Sequence, residues 1–329
     1  MIINPSNHMY YFVLFILFFI VELLYFRLAD RYNIIDKPNQ RSSHTQVTLR
    51  GGGIIFYFSV LAYFLTNAWA YPWFMLGLTL ISFISFVDDI CSVSQKIRLL
   101  FHWVALALLF YQWDLYASSW WIILLAWVIC TGIINVYNFM DGINGMTGGY
   151  SLITLLALIY INTEIVAFID PRFLNVVLIA LVVFNWFNFR KKAKCFAGDV
   201  GSVSIAFILV FALGKLVWTT QDVSYMMLLA VYGVDGVLTI VHRLLLRENI
   251  LQPHRKHLYQ LMANELKIPH RSVSCVYMLL QALVTSGYLF WFEARWTYTA
   301  CILILLSAVY MGFMNKYFHL HKCGSATKA

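Results

Sequence analysis

The sequence is poor in charged side chains: aspartate, glutamate, lysine and arginine make up 12% of its 329 residues, against 61% hydrophobic residues. A soluble protein of this length needs polar faces on most of its surface elements, so the composition excludes an ordinary soluble domain. Prolines number only six, and no tract rich in proline, glycine and serine divides the chain. We therefore expect a single integral-membrane domain over residues 1–329.

Zinc-type cysteine motifs and a cleavable signal are also missing. The six cysteines form no CxxC pair and no spacing typical of zinc ligands, so we expect packing residues or reduced thiols. The first apolar run has no basic segment before it and no small-residue cleavage site after it, and it contains Glu22. We interpret this run as a retained helix and not as a secretory signal.

Apolar runs of bilayer-spanning length recur along the whole chain. Any one of them could be a buried helix of a soluble protein, but a long series of them favours an all-α polytopic integral membrane protein. We predict about eleven transmembrane helices, at residues 9–28, 51–69, 73–90, 97–113, 119–138, 148–163, 173–189, 200–218, 225–245, 273–292 and 297–315.

The basic residues predict the orientation of these spans. If the first span runs from outside to inside, every lysine and arginine lies on the inner side except Arg172, Lys215 and Arg295. The positive-inside rule then places the N-terminus outside and the C-terminus in the cytoplasm. The net charge of +8 is explained by this topology, so we expect no nucleic-acid partner.

Four aspartates stand at the ends of apolar runs: Asp88, Asp89, Asp141 and Asp199. A carboxylate beside hydrocarbon is costly, so such residues usually mark a pathway or a catalytic site. If alternate helix ends share a side, all four lie on the cytoplasmic face. Mg²⁺ prefers oxygen ligands and often combines one or two carboxylates with substrate phosphates.

The adjacent pair Asp88–Asp89 is a weak signal when taken alone. Two neighbouring carboxylates leave water together only if a cation or hydrogen-bond donors compensate them. A metal ion would do so, but an ion pair with Lys96 or Arg98 at a solvated helix end would do so equally well. The sequence leaves both interpretations open.

A more specific pattern surrounds Asp141. Asn138 and Asp141 lie three residues apart and share a helix face with Asn135, inside an otherwise apolar run. Each of these polar groups costs free energy unless it is satisfied, so a simple turn does not account for them. The glycines that follow permit a ligand to approach the backbone closely. We expect a binding function for this segment.

The segment 196–202, F-A-G-D-V-G-S, begins the eighth apolar run. Glycines before a helix N-terminus leave backbone N–H groups free to cradle a phosphate, and Asp199 could hold a metal ion there. Helix capping is the alternative, since aspartate is a good capping residue and suits the helix dipole. The residues alone favour neither interpretation.

Near the C-terminus, His254 and His257 flank Arg255 and Lys256. Histidines with two intervening cations suit a diphosphate, which arginine and lysine bind through charge-assisted hydrogen bonds. Metal binding by these histidines is disfavoured because the neighbouring cations repel an ion. A basic patch facing anionic lipid is the alternative.

Asp235 is a further acid inside an apolar run. It lies seven residues before His242 and shares a helix face with it and with Thr239. Asp235 could pair with His242 or with the adjacent Arg243, or it could take part in the chemistry. The sequence does not separate these roles.

The first predicted cytoplasmic loop reads D-K-P-N-Q-R-S-S-H at residues 36–44 and R-G-G-G at residues 50–53. An ordinary positive-inside loop does not require a run of three glycines. Glycines at the start of a transmembrane helix let another backbone or a ligand phosphate come close. Both outcomes are compatible with the sequence.

Together these motifs resemble the polyprenyl-phosphate N-acetylhexosamine-1-phosphate transferases. That family includes the enzymes that start O-antigen, enterobacterial common antigen and teichoic acid linkage synthesis, and the phospho-MurNAc-pentapeptide translocase. The resemblance spans nearly the whole chain and follows the family's order: D-x-P-N-x-R-S-S-H with R-G-G-G, the D-D pair, N-x-x-N-x-x-D-G-I-x-G, F-x-G-D-x-G-S and P-H-R-x-H-L-Y-Q. The segment H-R-K-H differs from the histidine triplet of the peptidoglycan enzyme, which argues against a MurNAc-pentapeptide substrate.

The resemblance implies that sugar-1-phosphate is transferred from a UDP-N-acetylhexosamine to undecaprenyl phosphate, with release of UMP. It implies a bacterial inner membrane, a cytoplasmic active site, and Mg²⁺ as cofactor with Mn²⁺ as a substitute. UDP-GlcNAc or a 6-deoxy UDP-N-acetylhexosamine would be the donor, and the short loops resemble the O-antigen-initiating branch. Related proteins suggest that a homodimer is possible.

The family's catalytic and metal-binding positions carry over to five residues. Asp88 and Asp89 match the catalytic acids, and His254 and His257 match the histidine motif near the phosphates. Asp199 matches the metal-binding aspartate, and we expect Asp89 as a second ligand. A one-step in-line attack and a two-step route through an aspartyl-phosphate both stay open.

The substrate-binding positions carry over in the same way. Asn138 and Asp141 match the polar pair of the nucleotide pocket, and Phe196 resembles the aromatic residue that stacks on uracil. The carry-over of Asn188, a uracil contact, is less secure because the basic stretch after it is longer than usual. We expect four cations to offset the charge of the phosphates: Lys37, Arg41, Arg255 and Lys256.

A membrane transporter of nucleotide sugar or lipid-linked sugar is the alternative function. Transporters place their sites near the bilayer midplane and often contain inverted repeats. Here the acids cluster at helix ends and no repeat is visible. The sequence therefore favours the enzyme.

Overall fold

The structure is a computed structural model that describes residues 5–38, 43, 47–249 and 255–319. Within these residues the fold is almost entirely helical, and a two-residue hairpin of β1 (Ile35–Asp36) and β2 (Thr48–Leu49) is its only sheet. The helices are α1 (Pro5–Arg31), α2 (Ile54–Thr66), α3 (Pro72–Ile90), α4 (Gln95–Gln112), α5 (Trp120–Met140), α6 (Met146–Tyr160), α7 (Pro171–Asn188), α8 (Gly198–Thr220), α9 (Ala230–Leu245), α10 (Leu258–Gln260), α11 (His270–Phe290) and α12 (Arg295–Tyr317).

Each of the eleven predicted spans coincides with one of these helices. Among the described residues, nine helical segments are long and apolar enough to cross a membrane. The other two predicted spans correspond to α2, which has only 13 residues, and to α4, which carries Lys96 and Arg98 in its first turn. The prediction of an all-α polytopic membrane protein is confirmed.

The helix α8 forms the centre of the fold. Its apolar stretch is 83% buried inside the protein, compared with 11% for α12 at the periphery. Phe211 of α8 stacks on Phe74 of α3 with ring centroids 3.9 Å apart, and the hydroxyls of Ser82 and Ser204 lie 2.7 Å apart. These contacts make α3 and α8 antiparallel neighbours, so the C-terminal end of α3 meets the N-terminal end of α8.

The glycine run at the start of α2 allows two backbones to touch. A Cβ atom built on Gly53 would lie 2.2 Å from the Cα atom of Gly201 in α8, which is too close for any side chain. The sequence left open whether another backbone or a ligand phosphate approaches these glycines. The structure shows that the backbone of α8 does. Gly51, just before, adopts φ +82°, a conformation that favours glycine.

The hairpin docks on the chain segment that leads into α8. The Phe196 N–H donates to the Leu49 carbonyl at 2.8 Å, and the Gly52 N–H donates to the Phe196 carbonyl at 2.9 Å. These backbone bonds hold the first loop and the F-A-G-D segment side by side. The two motifs, about 150 residues apart in the sequence, thus meet at one end of the helices.

Candidate active site

The polar ends of α5 and α8 line one cavity of about 150 Å³, and the end of α3 contacts the start of α8 beside it. It opens at the end of the helices where the β1–β2 hairpin docks. Three of its lining residues, Asn138, Asp141 and Asp199, come from motifs that the sequence singled out. The full lining is Asp36, Ser43, Arg50, Asn138, Asp141, Gly142, Ile143, Asn188, Phe196, Gly198, Asp199 and Gln260.

Asp89 is buried and caps the N-terminus of α8. Its two carboxylate oxygens accept the backbone N–H groups of Asp199 and Val200, each at 2.9 Å, and Arg50 Nε lies 2.6 Å from Oδ1. These two N–H groups would otherwise have no partner in the helix. The negatively charged Asp89 accepts their hydrogen bonds and so stabilises the start of α8. The two amides that could cradle a phosphate are therefore bound to Asp89 in this structure.

Gly198 makes this cap possible. It adopts φ +72°, and a Cβ atom there would lie 2.5 Å from Asp89 Oδ2 and 2.8 Å from the Gly51 N atom. No side chain fits between these groups. The glycine of the F-A-G-D segment is thus required by the approach of the Asp89 carboxylate.

Asp88 and Asp199 share one guanidinium group. Arg98 Nη1 pairs with Asp88 and lies 3.2 Å from Asp199 Oδ2, while Arg50 Nη2 lies 3.6 Å from Asp199 Oδ1. Asp88 also accepts the Val93 N–H at 2.7 Å. The ion pair with Arg98 that the sequence left open is therefore present. This ion pair does not argue against a binding site here, because the shared Arg98 brings Asp88 close to the cavity residue Asp199.

Charge effects are strong around Arg50. Although burial opposes the charged form, the neighbouring carboxylates of Asp89 and Asp199 hold the pKa of the Arg50 guanidinium above its usual value. Arg50 stays a cation under all ordinary conditions. It is a fixed positive charge between the α3 and α8 ends.

Asn138 and Asp141 line the cavity from the end of α5. Ser202 donates its hydroxyl to Asn138 Oδ1 at 2.9 Å, which joins α5 to α8. Burial raises the pKa of Asp141 to about 7, and the negative charge of Asp89 adds to the shift. Asn135, on the same helix face, donates to the Thr131 carbonyl and lies outside the cavity.

His257 packs beside this end of α5 and pairs with Asp235. Its Nδ1 atom lies 3.2 Å from Asp235 Oδ1, and both side chains are almost fully buried, at 2% and 4% exposure. The Tyr277 hydroxyl donates to Asp235 Oδ2 at 2.6 Å. The ring of His257 lies 6.1 Å from that of Phe139, two residues before Asp141.

Asp235 is thus the partner of His257 and of neither residue that the sequence suggested. Arg243 instead lies 3.3 Å from Glu248, just beyond the end of α9. Sequence spacing pointed to His242 because both residues occupy one helix face. Asp235 and His257 are separated by 22 positions in the sequence, which gives no such local signal.

The predicted cations are not all at the cavity. Lys256 pairs with Glu248 and lies 5.7 Å from the Phe318 ring centroid, so it points toward the end of α9. Lys37 is exposed beside the cavity residue Asp36, and Arg255 is partly buried. Arg41 and His254 lie outside the described residues. The structure instead places Arg50 and Arg98 among the acids.

Asn188 lines the cavity despite the longer basic stretch after it. Its Oδ1 atom accepts the Gly145 N–H at 2.7 Å, and its Nδ2 group donates to the Cys195 carbonyl at 2.8 Å. It therefore joins the glycine turn after Asp141 to the segment before Phe196. Sequence reasoning passed over Arg50, Arg98 and Gln260 as site residues, although Arg50 directly precedes the glycine run.

The residues fit a divalent cation by charge and by ligand type. Five carboxylates and two guanidinium groups line the cavity or are joined to its lining by ion pairs: Asp36, Asp88, Asp89, Asp141 and Asp199, with Arg50 and Arg98. The excess negative charge and the oxygen ligands suit Mg²⁺. Within the described residues, no three acidic, histidine or cysteine side chains surround a single ion position. Guanidinium groups lie between the acids instead.

Fold and site define a polytopic helical membrane protein with an acidic site at one end of its helices. The family model "Glycosyl transferase family 4" matches residues 71–216, which include the helices from α3 to α7 and most of α8. This match covers less than half of the chain, and it agrees with the family that the sequence motifs resemble.

Curated relatives extend the similarity over most of the chain. The chain is 26% identical, over 89% of its length and 88% of the relative, to "Probable undecaprenyl-phosphate N-acetylglucosaminyl 1-phosphate transferase" of Bacillus subtilis (strain 168). It is 25% identical to "Undecaprenyl-phosphate alpha-N-acetylglucosaminyl 1-phosphate transferase" of Escherichia coli O157:H7, over 72% of this chain and 71% of the relative. It is 28% identical to "Decaprenyl-phosphate N-acetylglucosaminephosphotransferase" of Mycolicibacterium smegmatis, over 76% of this chain and 74% of the relative.

Proposed function

We propose that this protein transfers N-acetylhexosamine-1-phosphate from a UDP-sugar to undecaprenyl phosphate and releases UMP. The observation that carries the proposal is that Asp141 and Asp199 line one cavity, and that Arg98 joins Asp88 to Asp199 beside it. The names of the relatives support the same reaction and favour UDP-GlcNAc as donor. A 6-deoxy UDP-N-acetylhexosamine is the second donor to test, and O-antigen or related envelope polysaccharide synthesis is the proposed setting.

The main barrier is repulsion between the anionic lipid phosphate and the anionic diphosphate of the donor. Mg²⁺, when bound, would supply positive charge at the diphosphate and stabilise the departing UMP. Asp199 is the ligand that the cavity exposes, and Arg50 and Arg98 add fixed positive charge beside it. Such preorganised charge stabilises the transition state more effectively than water does.

Asp88 is positioned to orient the acceptor, since it lies on the Arg98 side of Asp199 and is partly accessible. In the direct route, an oxygen of the lipid phosphate attacks the β-phosphorus of the donor. A new P–O bond forms to the lipid, and the P–O bond to UMP breaks. Asp89 would support this step by capping α8 and so holding Asp199 in place. Its direct ligation of the metal stays a prediction.

His257 would offset charge on the diphosphate, and Asp235 would orient it. An ionised Asp235 accepts the proton on His257 Nδ1, which favours one ring tautomer and directs Nε2 away from Asp235. Gln260, three residues after His257, lines the cavity. The nucleotide would lie along Asn138, Asp141 and Phe196.

The cavity would face the cytoplasm of a bacterial inner membrane. The basic residues Arg50, Arg98 and those of the segment 190–194 all lie at the cavity end of the helices, as the positive-inside rule requires of a cytoplasmic face. With α2 and α4 added to the nine segments, eleven spans would place the N-terminus outside and the C-terminus inside.

The proposal is tested with purified protein, UDP-GlcNAc, undecaprenyl phosphate and Mg²⁺. We expect equal amounts of UMP and lipid-diphospho-sugar, and at least a ~10²-fold loss of rate in Asp199→Asn. Asp170→Asn is the matched control, because Asp170 starts α7 at the opposite end of the helices. Uptake of UDP-GlcNAc into vesicles without UMP release would overturn the proposal in favour of transport.

A further inference from the structure

A second cavity, of about 440 Å³, lies between α6, α7 and α11. Its walls are mainly apolar and include Gly149, Leu152, Val182 and Met278. Trp186, near the end of α7, and Arg190, just after it, form the polar edge of this cavity. The volume falls in the range of small-molecule sites. Among the described residues, the two cavities have no lining residue in common.

The polar edge of this cavity is strongly basic. Arg190, Lys191, Lys192 and Lys194 follow α7 directly, and the three lysines are exposed. None of the four forms an ion pair within the described part of the chain. Basic pockets between transmembrane helices bind anionic lipid head groups. The charge therefore complements a phosphate.

Arg190 is held in place at this edge. Its Nε group donates to the Trp186 carbonyl at 2.6 Å, and its guanidinium carbon lies 5.5 Å from the Trp186 ring centroid and 5.8 Å from that of Phe187. Trp186 itself is 63% exposed, as expected of a tryptophan at the membrane–water interface. The cavity thus has an apolar interior and an aromatic, cationic rim.

We propose that this cavity binds an anionic phospholipid, with acyl chain in the cavity and head-group phosphate at residues 190–194. The inference goes beyond the proposed transfer reaction, because the lipid does not react. The undecaprenyl phosphate acceptor is not the occupant, since a wall separates the cavity from the acids. That wall consists of Phe189, packed against Gly145, and of the bond from the Gly145 N–H to Asn188.

The bound lipid stabilises the glycine turn that carries Asp141. It contacts Phe189 and Arg190, and Asn144 donates to the Arg190 carbonyl at 3.0 Å. A Cβ atom on Gly145 would lie 1.9 Å from the Phe189 ring, so the turn and the cavity wall are in direct contact. Filling the cavity therefore restricts the turn from its far side.

The test measures lipid binding without turnover. Purified protein is reconstituted in nanodiscs of phosphatidylcholine with or without phosphatidylglycerol, and retained lipid is counted by native mass spectrometry. We expect selective retention of phosphatidylglycerol, reduced about tenfold in K191Q/K192Q. Val182→Phe, which fills the cavity and keeps every charge, should also reduce it. K267Q/R271Q, which removes two exposed cations after α10, is the matched control and should retain it.

Position is tested with brominated lipids. Brominated phosphatidylglycerol should quench tryptophan fluorescence more than brominated phosphatidylcholine, and the difference should disappear in Trp186→Phe. Equal retention of both lipids by the wild type, or an equal loss in K267Q/R271Q, would overturn the proposal. Because neither readout needs UDP-sugar, a failed transferase assay would leave these results interpretable.

Discussion

The two adjacent aspartates at the end of α3 have different surroundings. Asp89 is buried, with both oxygens accepting backbone N–H groups of α8 and with Arg50 beside it. Asp88 is partly accessible and shares Arg98 with Asp199. One acid therefore caps the helix that carries Asp199, while the other is joined to Asp199 through Arg98.

This difference predicts separate effects of mutation. Asp89→Ala should lower the free energy of unfolding by about 3 kcal/mol, because it removes the α8 cap and leaves Arg50 without its buried partner. Asp88→Asn should destabilise the protein much less, since Arg98 keeps Asp199, yet it should reduce UMP release about 10²-fold. Thermal unfolding in detergent and initial rates measure the two quantities. Equal stability of both variants would contradict the assignment.

The pair of Asp235 and His257 predicts a coupled effect on turnover. Asp235→Asn should lower the rate about tenfold or more, because the amide no longer provides the carboxylate that orients the His257 ring. Every other described polar partner of Asp235 is neutral: Thr239, Tyr277 and the Leu258 N–H.

A double-mutant cycle checks whether the two residues act together. If Asp235 acts through His257, Asp235→Asn combined with His257→Gln should be no slower than His257→Gln alone. Tyr277→Phe is the control, because it removes one hydrogen bond to Asp235 and leaves the charge. Additive losses in the double variant would show that Asp235 acts independently of His257.

The raised pKa of Asp141 predicts a pH-dependent stability. Because the folded pKa is about 7 and the unfolded value is about 3.9, the folded state binds the proton more tightly. Without metal, stability should fall as pH rises from about 4 to about 7 and level off above that range. Asp141→Asn should flatten this part of a thermal-midpoint profile. If the pH dependence of the thermal midpoint is the same in Asp141→Asn, the pKa of Asp141 in the folded state is not raised.

At the scale of elements, α2 and α8 are in close backbone contact at Gly53 and Gly201, and a substitution that adds one methyl group tests this contact. Gly53→Ala places a Cβ atom 2.2 Å from Gly201 Cα, and neither backbone can yield easily. We expect a loss of about 1–3 kcal/mol in stability from this overpacking. Gly132→Ala in α5 is the control, because nothing lies within 4 Å of its Cβ position. Normal stability of Gly53→Ala would contradict the packing.

The helices could be predicted from the sequence because bilayer-spanning apolar length is a local property. For the same reason Asn138 and Asp141, three residues apart on one helix, were correctly placed side by side at the cavity. The contacts that define the site are not local. The Asp89 cap on α8 spans 110 residues and the Arg98–Asp199 pair spans 101, so no spacing rule reveals them.

The same limit explains the cations. Lys256 was expected at the phosphates because it lies between two histidines, yet Glu248 at the end of α9 binds it instead. Arg50 was noticed only as part of a glycine motif, although it contacts two of the acids. Side-chain direction after a loop depends on tertiary packing, which a single sequence does not show.

At the scale of the whole molecule, the fold delivers acids from three helices to one end of a helical membrane bundle. The interior of that bundle is organised around α8, so small displacements of its N-terminus move Asp199 relative to Asp88 and Asp141. This arrangement suits a reaction in which a membrane-bound phosphate meets a soluble nucleotide sugar at the bilayer surface.

The most direct test uses UDP-GlcNAc labelled with ³²P at the β-phosphorus, together with undecaprenyl phosphate and the purified protein. Sugar-1-phosphate transfer predicts that the label moves into the lipid product and that the released nucleotide is unlabelled UMP. Label that stays on UDP while sugar reaches the lipid would contradict the account, as would the absence of any labelled lipid with active control enzyme in the same assay.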